Sequence, residues 1–95
     1  MAATPKFALI WYPDGSWPQA HEFDDALGRS KTVEGEPLAS LGDAISYAAA
    51  AKPPDRMSFW IKAHFASTPR EFVILNPADI KAAAAKPGKH WTEYA

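Results

Sequence analysis

Trp60, Lys62 and His64 stand two residues apart within Met57 to Phe65, a stretch that alternates cleanly. On a strand, alternate side chains share a face, so Met57, Phe59, Ile61, Ala63 and Phe65 point to a core while Ser58, Trp60, Lys62 and His64 point away. An outward indole beside an ammonium and an imidazole is chemistry for contact, able to stack a base, a sugar or a partner's side chain. The competing arrangement folds a long loop or the C-terminal tail over Trp60 and leaves Lys62 and His64 solvated. Trp17 and Trp91 are the next candidates for partner contact. Four tryptophans in 95 residues exceed what so small a core readily hides, and large amphipathic rings anchor interfaces.

Catalytic and metal chemistry are harder to assemble. In His21-Glu22-Phe23-Asp24-Asp25, a helix would place His21 and Asp25 on one face at serviceable ligand spacing. A strand would instead pair His21 with Phe23 and turn Glu22 away, which removes the ligand set. The serines and the three histidines (His21, His64, His90) are raw material for a nucleophile and base, yet no Gly-x-Ser-x-Gly elbow occurs. The five glycines never cluster into an oxyanion nest or phosphate loop. Asp24 and Asp25 would point apart on a strand, unlike a carboxylate pair set across a cleft. Near the C-terminus, Lys81, Lys86, Lys89 and His90 gather beside Trp91, but cations late in a helix already complement its negative end.

Composition excludes more than it selects. Ten Lys+Arg against eleven Asp+Glu give a net charge of −1, without the cationic surplus of a dedicated polyanion binder. No cysteine is present, which removes disulfide scaffolds, thiolate metal sites and thiol nucleophiles together. The longest early apolar run, Phe7 to Tyr12, is six residues. A signal-peptide core needs roughly 7–15 and a membrane span about 20, so the expected location is cytoplasmic. Nineteen alanines, eight of them in two runs of four, suggest GC-rich bacterial coding.

These side chains need elements to hold them. Phe7 to Tyr12 is strand-like and apolar on both faces, as a central strand covered by helix would be. Pro13-Asp14-Gly15 is turn chemistry suited to a bulged hairpin. Ser16 to Phe23 is then expected to return as an edge strand, with Pro18 confining it there. The alternative is a helix starting at Pro18, stacking Ala20, Phe23 and Leu27 and ending near Gly28. Arg29 to Glu36 is the longest loop, and such loops are functional or mobile. Ser40 with Asp43 marks a helix start, Leu38, Leu41, Ile45 and Ala48 its apolar stripe, and Lys52-Pro53-Pro54 its stop. Phe72 to Leu75 pairs with the strand before it. Asn76-Pro77-Ala78-Asp79 opens a last helix, Ile80, Ala83 and Ala84 facing inward, ended by Pro87-Gly88.

The chain is therefore expected to be a single α+β domain over residues 1–95, with residues 1–5 and 88–95 as flexible tails. A small antiparallel sheet of three or four strands, in chain order β-β-α-β-β-α, carries two helices on one face. The expected function is a small cytoplasmic bacterial binding or regulatory module, acting by protein–protein contact through Trp60, Lys62 and His64, then Trp17 and Trp91. No catalysis, cofactor, metal or membrane is implied, and a homodimer is an equal form of the same idea. Nucleic-acid binding through Trp60 and the basic C-terminal segment, and a small metal-dependent hydrolase using His21 or His64, are the alternatives.

Overall fold

The computed structural model describes residues 7–24, 26, 30–64 and 70–85. The elements are β1 (Phe7–Pro13), α1 (Ala20–Asp24), α2 (Leu41–Ala50), β2 (Met57–His64), β3 (Phe72–Leu75) and α3 (Pro77–Ala85). The strands form one antiparallel sheet in the order β1-β2-β3, so the chain is of the α+β class. The register sets Leu9 opposite Ile61 and Ile10 opposite Trp60, then Ile61 opposite Leu75 and Lys62 opposite Ile74.

The period-two alternation of β2 sorts its side chains between two apolar clusters. Phe59, Ile61 and Ala63 join Phe7 and Leu9 of β1, Leu41, Ala44 and Ile45 of α2, and Ile80 of α3. On the opposite face Trp60 joins Ala8 and Phe23, flanked by Ile10, Tyr12, Ala26 and Ile74.

Local chemistry fixes the ends of the two longer helices. The Ser40 hydroxyl accepts from the Asp43 N–H at 3.1 Å, satisfying one of the donors a helix start leaves open. The C-cap Ala51 is extended, with ψ 154°, and Pro53 after Lys52 disfavours helical backbone at the residue before it. At α3 the capping is reciprocal. Asn76 Oδ1 accepts from the Asp79 N–H at 2.8 Å, and Asp79 Oδ2 accepts from the Asn76 N–H at 3.3 Å.

Two expectations are corrected. The first is the hairpin after β1. The Pro-Asp-Gly turn does form, with the Ser16 N–H donating to the Pro13 carbonyl at 3.1 Å and Gly15 at φ +82°. The chain then coils into α1 instead of returning as a strand, so the order is β-α-α-β-β-α. Glu22 lies three residues beyond Gln19 and its carboxylate accepts the Gln19 N–H at 2.6 Å, the backward half of a capping box. Phe23 is thereby fully buried, a gain no half-exposed edge strand would give it. α1 stops at Asp24, while Leu27 and Gly28 lie outside the described residues.

The second correction concerns β1, which is an outer strand. Both its faces are apolar because different helices cover them, and Ser30 occupies part of its free edge. The Ser30 hydroxyl accepts from the Leu9 N–H at 2.8 Å and lies 3.3 Å from the Phe7 carbonyl, to which it donates. The expected long loop is present over its described residues, and residues 31–37 form a tight reversal. Lys31 bridges Pro37, Thr32 N–H donates to the Glu36 carbonyl at 2.8 Å, and Gly35 takes φ +90°. Tyr47 of α2 anchors it, accepting the Val33 N–H at 2.9 Å and donating to Glu34 at 3.3 Å. The predicted tails, Phe65 and Pro87-Gly88 lie outside the described residues, and no helix among them is long and apolar enough to cross a membrane.

Candidate functional site

The face carrying Trp60, Lys62 and His64 is covered, which corrects the expectation of an open surface there. Trp60 is 6% exposed and Lys62 4%, and His64 is half-buried with its ring 5.9 Å from that of Phe72. The cover is α1, placed there because Phe23 seats against Ala8 and Trp60. Trp91 lies outside the described residues, as do Lys86, Lys89 and His90, so the basic C-terminal cluster is not placed.

Lys62 reaches its partner inside the molecule. Its Nζ lies 2.8 Å from Asp24 Oδ1 and 4.3 Å from the centre of the Phe72 ring. Burial penalises an unpaired ammonium severely, and the carboxylate with the ring face offsets that penalty. The hydrogen bond from Lys62 pulls the Asp24 carboxyl below its ordinary value; desolvation opposes this, and the charges of Lys62, His64 and His21 add to it. A cation held this way is not presented to a phosphate backbone. A hydrogen bond to Glu22 of α1 raises the pKa of the Tyr12 phenol. His21 itself is exposed. Asp25 lies outside the described residues, and among those described no three His, Asp or Glu side chains gather as a metal site.

Among the described residues, the indole that stays in water is Trp17, 72% exposed. Its ring sits 5.2 Å from that of Trp60, tilted by 60°, so the two indoles form one continuous wall running from surface to core. That wall bounds a groove of about 350 Å³ whose other sides are Pro13 to Ser16, Ser58 and Asn76 to Ala78. Three local structures position it. The Pro13–Ser16 turn throws Trp17 outward, the start of β2 supplies Ser58, and the capped start of α3 supplies Asn76 and Pro77. The Ser58 hydroxyl donates to the Asp14 carboxylate, tying the turn to the sheet. A second hollow of about 390 Å³ lies between α2 and α3, lined by Ala48 to Pro53 with Phe59, Ile80 and Lys81.

The first groove's lining contains no histidine, lysine or arginine, and its one carboxylate, Asp14, accepts from the Ser58 hydroxyl. Trp17 was legible as a contact candidate from its residue type. Asp14, Ser58, Asn76 and Pro77 were not, because each reads locally as turn, strand or cap, and only the tertiary fold brings them to one place. No protein-family model matches the chain, and neither curated proteins nor solved structures include a match to it.

Proposed function

We propose that this protein is a small binding module that engages a protein partner by contact, without turnover, through Trp17 and the groove it shares with Trp60. One observation carries the reading: an indole 72% exposed stands directly against a second indole that belongs to the core. An aromatic side chain buries roughly 150–250 Å² when covered. That area is worth about 4–6 kcal/mol before the costs of association. Trp60 gives the outer ring a rigid backing, which reduces the freedom lost on binding. Lys62 and His64 act behind this surface, holding α1 and the sheet, and the contact surface shifts from the sheet face to its end.

The test is selection from a displayed peptide library on immobilised wild type and on Trp17→Ala. Ligands enriched on the wild type should be lost on the variant while its thermal midpoint stays near the wild-type value. Retention of the same ligands by Trp17→Ala, or no enrichment on the wild type, contradicts the proposal.

Self-association is the second reading, favoured by Phe72, 46% exposed on the outer strand β3. Outer strands present unpaired backbone groups to a second chain. Sedimentation velocity at two concentrations decides it: a concentration-dependent shift supports a dimer, and a strict monomer at both rejects it.

A further inference from the structure

Building on Trp17 as a contact residue, we propose that the groove takes an extended, proline-containing peptide segment flanked by a basic residue. The lining is mostly apolar, with Pro13, Trp17, Trp60, Pro77 and Ala78 forming shallow walls. Several of its polar groups are engaged already. The Ser58 hydroxyl donates to Asp14, Asn76 Oδ1 accepts from the Asp79 N–H, and the Asp14 and Ser16 N–H groups donate to the Arg56 and Pro13 carbonyls. A proline carries no N–H and lays an apolar ring against indoles, and polyproline II segments dock in aromatic-lined grooves with little conformational freedom left to lose. Charge selects the flank. Asp14 is the one charged residue of the lining, and Asp79 is exposed one residue beyond it on α3. A lysine or arginine next to the prolines would meet these carboxylates.

The experiment titrates the full protein with end-blocked hexaproline carrying a C-terminal arginine, watching the tryptophan indole signals by ¹H–¹⁵N NMR. End-blocked hexaalanine with the same arginine and a β-linked glucose hexamer are the comparison ligands. The expected result is saturable shifts at Trp17 and Trp60 with the proline peptide only, binding weakened about tenfold or more by Trp17→Ala. Asp14→Asn, which keeps an oxygen for Ser58, should weaken binding roughly threefold. Equal shifts with hexaalanine, shifts with the glucose hexamer instead, or no shift with any ligand overturn the proline assignment. Unchanged affinity in Asp14→Asn overturns the basic flank. If library-selected ligands still require Trp17 while hexaproline fails, the contact surface stands and only the peptide class falls.

Discussion

The two faces of β2 are closed in different ways. Phe59, Ile61 and Ala63 are covered by α2 and α3, helices of ten and nine residues, each with a side-chain cap at its start. Trp60 and Lys62 are covered by the five residues of α1, through one buried phenylalanine and one ion pair. A broad apolar face calls for longer helices, whose stability comes from packing over several turns. A mixed face can be closed by one well-placed ring, provided its buried charge finds a partner. The groove lies where this smaller cover ends, and there the second indole remains in water.

Ile61→Ala should show the largest effect, because that side chain is fully buried in the larger cluster. A loss of about 4 kcal/mol is expected, read as a lower denaturation midpoint with an unchanged slope and loss of protection in all elements together. Phe23→Ala should cost less globally, about 3 kcal/mol, and act first on α1. Hydrogen exchange should find α1 amides open while α2 and α3 remain protected. Simultaneous loss of protection in all three helices would mean that the two faces are not distinct.

Asp24→Asn should have the smallest effect, since Asp24 is 53% exposed and water screens part of its interaction with Lys62. The direction is destabilising, because a buried ammonium loses its charged partner. Lys62 holds the Asp24 carboxyl below its ordinary value of 3.8 in the folded state. A carboxyl depressed on folding stabilises above its unfolded pKa, and that contribution fades as pH falls through the folded one. The difference in stability between wild type and Asp24→Asn should therefore be full at neutral pH and close below pH 3.8. A difference independent of pH would place the effect of the substitution elsewhere than in the ion pair.

Much of the fold was legible locally. The capped starts of α2 and α3, the alternation of β2 and its pairing with β3 all follow from residue types at short spacing. α1 was not, because Pro18 suits both an edge strand and a helix start, and Phe23 gains its place only once β1 and β2 pair beneath it. The even-numbered face of β2 was read correctly as a face, yet its exposure depended on that same helix. Lys62 misled for a related reason: a lysine on a strand reads as solvated unless an acid 38 residues away in sequence comes within reach. The groove was the least legible feature, since a turn, a strand start and a helix cap meet there from three distant parts of the chain.

Thermal unfolding of Trp17→Ala beside Trp60→Ala tests the division between the two indoles most directly. Trp17→Ala should stay within about 5 °C of the wild type, the loss of one surface aromatic contact. Trp60→Ala should fall by more than about 10 °C, as for truncation of a core ring in a domain of this size. Equal losses, or the larger loss at Trp17, would mean that the outer ring serves the fold and not a partner.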